Sequence, residues 1–343
     1  MNTLLTSVPA ELHTLTGHPE NAGRTLTVVD LLERKGILDQ ISLLHPRLAS
    51  IEQLERVHRP TLLRLIKEAV QQGQPRLDAD TYITPDSFRL ARLAAGSTAA
   101  AAEAIARGDY RNGFALVRPP GHHAERASAG GFCLFNNIAV AARQVQMLGL
   151  ANKVLILDYD VHHGNGTQDI FYDDPSVLFV SLHMYHQFFY PGTGGLTETG
   201  HGSAAGTTVN VPLQPGAGDT WYLRIMETIV HPLARQFGPD MILASSGFDA
   251  HWSDPLAAAN LTLKGYDAIG RQLIELADEL CEGRLLFVLE GGYQPDALSL
   301  GVLNTLYALM GTDQVEDPLG PAPQAEPDLS SLLERLQRLH LSK

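Results

Sequence analysis

Cysteine is nearly absent from this chain: Cys133 and Cys281 are its two thiols among 343 residues. Two cysteines cannot build a disulfide framework, so a reducing compartment, the cytoplasm, is expected. Basic residues are also short in supply. Lys plus Arg number 25 against 38 Asp plus Glu, a net charge of −13, and no cluster of Lys or Arg stands out. That argues against broad binding to nucleic acid or to an anionic membrane surface. Long apolar runs are missing as well. No window approaches the roughly 18 apolar residues of a membrane span. The opening MNTLLTSVPAELHTL has neither a basic leader nor an apolar stretch, so no secretory signal is expected.

What is present is an ordinary globular composition, 44% hydrophobic, sufficient for a sizeable core. The length suits one large α/β domain or two small ones. Near-continuous apolar runs recur: FALV (114–117), VLILD (154–158), VLFVSL (177–182), MILASS (241–246) and LLFVLE (285–290). Such runs suit strands covered on both faces. Helical patterns separate them at 87–107, 137–148, 221–237 and 263–280, and Asn136-Asn137 is a good cap for the second. The alternation predicts a doubly wound, mostly parallel sheet. No internal repeat or second domain boundary is visible, so one domain is expected over 1–315. Residues 316–328, Pro-rich and acidic, read as a connector. An amphipathic helix is expected over 329–343, with Leu332, Leu333, Leu336 and Leu339 on one face. Docking onto the body is the simple reading of that face. A dimer contact, making a homo-oligomer, is the alternative.

Each apolar run ends in polar residues. FALVRPP leads to GHHAERASAGGF, VLILD to YDVHHGNG, VLFVSL to HMYHQFFYPGTGG, MILASS to GFDAHWSDP and LLFVLE to GGY. In open parallel sheets, ligands bind at the carboxyl ends of strands. Five such tails can converge on one site.

In extended chain Asp158, Asp160 and His162 share a face. A carboxylate and an imidazole two residues apart suit zinc or manganese. Salt-bridged aspartates with a capping histidine are the alternative, and Gly164 and Gly166, which permit close backbone approach, favour the metal. A catalytic zinc takes three protein ligands. Asp249, immediately after the strand end, is preferred as the third over His251 and Asp254. The His122-His123 pair is a natural general base beside a metal-bound water, with Asp158 free to orient it. Tyr293, on a Gly-Gly turn, could donate to a developing oxyanion. Phe132 and Tyr190 could wall a channel for a linear apolar substrate, although core packing is as ordinary a role for Phe132. Alternation turns His163 away from the metal, toward a structural role.

Together HPENAGR (18–24), RPPGHHAERASAGGFCLFNN (118–137), LDYDVHHGNGTQDIFY (157–172), SLHMYHQFFYPGTGG (181–195), SSGFDAHWSDPLA (245–257) and LEGGY (289–293) resemble the zinc-dependent histone deacetylase family, including its bacterial histone-deacetylase-like and acetylpolyamine amidohydrolases. The resemblance covers most of the chain, from about residue 18 to about 310. It implies an arginase-like α/β domain with a mostly parallel eight-stranded sheet and hydrolysis of N-acyl amides. One catalytic zinc is implied on Asp160, His162 and Asp249. His123 would be general base and acid, with His122 its electrostatic partner bonded to Asp158. Tyr293 would polarise the amide carbonyl. Phe132 and Tyr190 would line an acyl-lysine tunnel, and the Gly131 carbonyl would accept the substrate N–H. A structural potassium ion is implied on backbone oxygens of Asp158, Asp160, His162, Ser181 and Leu182, with the Asp158 side chain.

Two positions refine the expectation. Asn165 stands where some members carry Asp behind the second histidine; an Asn there resembles the class II branch and leaves the protonation of His123 open. Leu256 occupies the place of an acidic gatekeeper in the polyamine-selective branch, which favours acyl-lysine in proteins or peptides over an acetylpolyamine or another small N-acyl amine. A dinuclear ureohydrolase is disfavoured because a second metal would fall to His163, Asn165 or His251. A non-enzymatic acyl-lysine binding module is disfavoured by the complete set of candidate catalytic groups.

Overall fold

The computed structural model describes residues 2–9, 11–186 and 188–341, so the last two residues of the expected terminal helix lie outside the described residues. Among the described residues, eight strands form one sheet: β1 (Thr3–Ser7), β2 (Ser42–Leu44), β3 (Asn112–Leu116), β4 (Val154–Asp158), β5 (Val177–Met184), β6 (Thr208–Leu213), β7 (Met241–Ser246) and β8 (Leu285–Leu289). The order is β2-β1-β3-β8-β7-β4-β5-β6 and every pair is parallel. All five apolar runs of the sequence are strands. The other three were hidden for separate reasons. β1 mixes Thr with Leu, β2 has three residues, and β6 carries Pro212, which an edge strand tolerates because its missing N–H faces no neighbour.

Strand residues alternate between two cores. Leu155 and Leu157 of β4 join one cluster, and Val154 and Ile156 join the other. Helices therefore cover both faces. On one side the Ala-rich helix Ser87–Ala106 packs closely against Asn137–Met147, which the Asn136 side chain caps by accepting from the Ala139 N–H at 3.0 Å. On the other side lie Gly23–Arg34, Leu263–Cys281 and Pro295–Leu309. No helix is long and apolar enough to cross a membrane among the described residues.

The helix expected over 221–237 is interrupted. Helical turns at Asp219–Ile225 and His231–Phe237 flank a wider π turn at Met226–Val230. Pro232 explains it: its ring clashes with the carbonyl four residues back, and widening the preceding turn relieves that clash.

The acidic, Pro-rich segment lies along the body. The Glu326 carboxylate accepts the N–H groups of Gly218 and Thr220 at 2.9 and 3.0 Å, and the Trp221 indole donates to the Pro327 carbonyl at 2.7 Å. Leu333 and Leu336 of the final helix, Ser330–His340, then bury in the larger core, while Leu339 stays exposed.

The contiguous centre of the sheet, β3-β8-β7-β4, consists of the four strands whose tails carry GHH, EGGY, GFD and DYDVHH. A parallel sheet delivers all four tails to the same edge. Leu336 tests how firmly the final helix is built into this body. Leu336→Ala should lower the unfolding free energy by about 2–4 kcal/mol, the range for a buried leucine truncated in a packed core. Urea denaturation measures this, and a loss below about 0.5 kcal/mol, typical of surface changes, would show that the helix adds little.

Candidate active site

At the end of β4 the chain leaves the sheet at Asp158 and passes through Asp160 and His162. Asp249 arrives three residues after β7 ends. Ligand atoms of Asp160, His162 and Asp249 all lie within 4.8 Å of one another, a geometry that can hold a metal ion. His162 Nδ1 is 3.1 Å from Asp160 Oδ1 and 3.2 Å from Asp249 Oδ2. Backbone donors aim the carboxylates. Val161 N–H donates to Asp249 Oδ1 at 2.9 Å, and Gly291 N–H donates to Asp160 Oδ2 at 2.7 Å. Position 291 admits no side chain, because a Cβ there would stand 2.0 Å from Asp249 Oδ2. His251 and Asp254, the other candidates for a third ligand, point elsewhere. His251 Nδ1 bonds Ser253 Oγ, and Asp254 accepts the N–H groups of Tyr293 and Gln294 at 2.7 and 3.1 Å.

The two carboxylates are fully buried, and their environments differ. Burial and the neighbouring Asp160 charge push Asp249 up to about 7. Burial opposes ionisation of Asp160 too, but His122 and His162 outweigh it and hold the group low. A divalent cation would compensate this concentrated negative charge.

His122 and His123 sit on the turn after β3, their rings 3.9 Å apart. His122 Nδ1 lies 3.0 Å from Asp158 Oδ2. Burial disfavours the His122 cation, but Asp158 and Asp160 outweigh that and raise it to about 10. His123 goes the other way. Burial and then the charges of His122 and His162 lower it well below the ordinary imidazole value. Its Nδ1 is 2.7 Å from the Asn165 side-chain oxygen. The surroundings thus push the two adjacent histidines in opposite directions, His122 toward its cation and His123 toward the neutral base.

A cavity of about 240 Å³ opens above these groups, lined by Gly131, Phe132, Phe189, Tyr190, Leu256 and Tyr293, with Asp80 at the wall and the two histidines and His162 below. Phe132 meets Tyr293 edge-on at 5.9 Å, and Tyr190 meets His123 at 4.9 Å. Phe132 adopts φ of 70°, a left-handed conformation uncommon for a non-glycine residue. The Gly131 carbonyl, beside the cavity, already accepts from the Cys133 thiol at 3.3 Å. Ser181 and Leu182 lie in β5, with Ser181 directly opposite Asp158 in the β4–β5 register. His163 is buried and bonded to Thr193 and Gln168, outside the metal-ligand group.

Three further contributors were not singled out in the sequence. Phe189 stacks on His162 with rings 4.8 Å apart and 6° from parallel. The buried Glu290 carboxylate accepts the N–H groups of Gly121 and His122 at 2.7 and 3.1 Å, tying the β8 tail to the histidine turn. Arg24 donates to the carbonyls of Gly292 and Glu290 at 2.7 and 2.6 Å, and its guanidinium lies 4.8 Å from the Tyr293 ring centre. Glu290 was detectable by the rule applied to Asp158: a charge ending an apolar strand needs a partner.

Fold and site together define an amidohydrolase of the arginase and deacetylase class. A family model, histone deacetylase domain, matches residues 18–309. A probable deacetylase of Archaeoglobus fulgidus is 40% identical over 299 residues, covering 86% of this chain and 82% of that protein. Histone deacetylase 14, chloroplastic, of Arabidopsis thaliana is 36% identical, covering 98% and 83%. The crystal structure of the HDA15 HD domain superposes with a TM-score of 0.90 at 36% identity, covering 99% of this chain and 94% of that one. The chain belongs to the histone deacetylase family, a zinc-dependent family, and is a hydrolase of amide bonds.

Arg24 is itself held by Glu20, whose carboxylate also pairs with the buried Arg118. Burial would raise Glu20, but Arg118 and Arg24 outweigh it and hold the group at about 2, below its ordinary 4.5. Its stabilisation is therefore complete above about pH 4.5 and fades as pH falls toward 2. Glu20→Gln should lower stability near neutrality and flatten its decline between about pH 5 and 3. Chemical denaturation across that range checks this, and parallel pH slopes for the two proteins would refute it.

Proposed function

We propose that the protein removes acetyl or other short acyl groups from lysine side chains of proteins or peptides, with one zinc ion per chain on Asp160, His162 and Asp249. The observation that carries this reading is the convergence of that triad, His123 and Tyr293 below one narrow aromatic cavity. Two carboxylates and one imidazole suit zinc in ligand type and balance its charge. Zinc held there supplies a Lewis acid that polarises the acyl carbonyl and lowers the pKa of an attacking water.

The chain's own groups do the rest. His123 accepts the proton of the attacking water as the new C–O bond forms. The Tyr293 hydroxyl donates to the carbonyl oxygen as charge develops there. His122, paired with Asp158, is the electrostatic partner of His123. The proton then passes from the histidine to the amine nitrogen as the C–N bond breaks, leaving acetate and free lysine. Phe132 and Tyr190 hold the lysine methylenes, Leu256 lines the rim, and the Gly131 carbonyl accepts the substrate N–H. Backbone oxygens of Asp158, Asp160, His162, Ser181 and Leu182, with the Asp158 carboxylate, hold a structural potassium ion. Catalysis belongs to residues 1–315, with 316–328 a connector and 329–343 a terminal helix. Two buried free cysteines suit a cytoplasmic protein. The acidic surface suits neither nucleic acid nor membrane as partner, and the exposed Leu339 leaves a homo-oligomer contact as an option for the terminal helix. An acetylated polyamine is the second reading, which Asp80 at the cavity wall favours and the apolar Leu256 opposes.

Tyr293→Phe should lower kcat by about 100-fold or more, the cost of losing one oxyanion donor, with zinc content unchanged. Turnover equal to the native protein would remove Tyr293 from this role. On metal-quantified protein, acetyl-lysine peptide should be cleaved faster than acetylspermidine; the reverse order would establish the polyamine reading.

A further inference from the structure

His123 reaches a carboxylate through an intermediary. Its Nδ1 faces the Asn165 oxygen at 2.7 Å, and the Asn165 NH2 donates to Glu125 Oε1 at 2.9 Å. Glu125 is gripped in turn: Ser128 Oγ donates to Oε2 at 2.6 Å, and the Glu125 N–H donates to the Ser128 carbonyl at 2.9 Å. An asparagine amide fits its slot equally well with oxygen and nitrogen exchanged, so its neighbours must decide which way it points. A carboxylate only accepts. The NH2 of Asn165 must therefore face Glu125, and the oxygen must face His123. An oxygen there requires a proton on Nδ1. A neutral ring with Nδ1 protonated carries its lone pair on Nε2.

We propose that Glu125 is a positioning residue that, through Asn165, selects the Nδ1–H tautomer of His123 and so keeps Nε2 free to accept a proton. The inference rests on the deacylase reading only for its kinetic consequence. The tautomer follows from the hydrogen bonds alone.

The contrast with His122 shows what the intermediary achieves. Asp158 touches His122 directly and favours its cation. A carboxylate in direct contact with His123 would favour its cation in the same way, whereas the Asn165 amide places the ring proton without a charge beside it. One amide further away, Glu125 sets the orientation while standing apart from the ring. It also borders a polar cavity of about 530 Å³ whose wall includes Arg59, Arg126 and Asp169, so the carboxylate is solvated on its far side. Arg126 is occupied with the Asp169 and Ile170 carbonyls and does not compete for Glu125.

The test uses four zinc-loaded proteins: native, Glu125→Ala, Asn165→Asp and the double variant. Nitrogen-15 NMR of labelled histidine reads the His123 tautomer, and thermal unfolding confirms that each is folded. The native protein should show Nδ1–H alone, and Glu125→Ala a mixture with Nε2–H. In the native background Glu125→Ala should lower kcat in proportion to the Nδ1–H fraction lost, about twofold for an even mixture, with KM little changed. With Asp at 165 there is no amide to orient, and two carboxylates would face each other. There Glu125→Ala should cause no further loss, or a gain. An equal loss in both backgrounds, as a purely structural role would give, overturns the proposal. So does an Nε2–H tautomer in the native protein. If Glu125→Ala does not fold, Glu125→Gln keeps the volume but presents donor or acceptor, and both tautomers are expected; Nδ1–H alone in that variant overturns the proposal. Absence of turnover in every protein would refute the deacylase reading, while the tautomer would still decide this one.

Discussion

The structure is organised around two carboxylates, Asp160 and Asp249, buried side by side at the carboxyl edge of the sheet. Like charges in a low-dielectric interior are costly unless donors and a cation surround them. Much of the local architecture meets that demand. Backbone N–H groups of Val161, His162 and Gly291 point at the oxygens. Glycine at 247 and 291 clears the space that those oxygens occupy. A zinc ion on the triad would complete the compensation.

The same economy of charge explains the histidine pair. One face of the site is cationic because Asp158 touches His122. The other is pushed toward the neutral form because burial and the adjacent His122 charge disfavour a second cation. Two rings 3.9 Å apart could not both be cations in a buried site without heavy repulsion. The split makes one of them available as a base. Tyr293 is placed by different means: its N–H donates to Asp254, Arg24 holds the carbonyl before it, and Glu290 ties its loop to the histidine turn.

Much of this was legible in the sequence because a parallel sheet writes itself plainly. Strands covered on both faces must be continuously apolar, so a charge at the end of such a run is conspicuous. VLILD-YDVHH and MILASS-GFD show it in one line. The other three strands were less legible. β2 and β6 lie at the edges, where the demand for burial on both faces is relaxed, and are short or interrupted by Pro212; β1, one place in from the edge, mixes Thr with Leu. The π turn before Pro232 was likewise a backbone adjustment that helical periodicity does not encode.

Order and spacing of the motifs determined the class of chemistry, because metal ligands, paired histidines and a strand-end tyrosine are needed as residue types wherever they lie. The tertiary structure decided which residues meet. Asp249, His251 and Asp254 lie within five positions and each is a metal ligand by type, with the strand-end placement alone favouring Asp249 in the sequence. The path of the chain after β7 sends the first to the triad, the second to Ser253 and the third to the N–H of Tyr293. Glu125, Arg24 and Phe189 reach the site across long stretches of chain or around turns, and local pattern carries no trace of such contacts. The physical reason is that a side chain's type depends on one position, whereas its partner depends on the packing of the whole sheet.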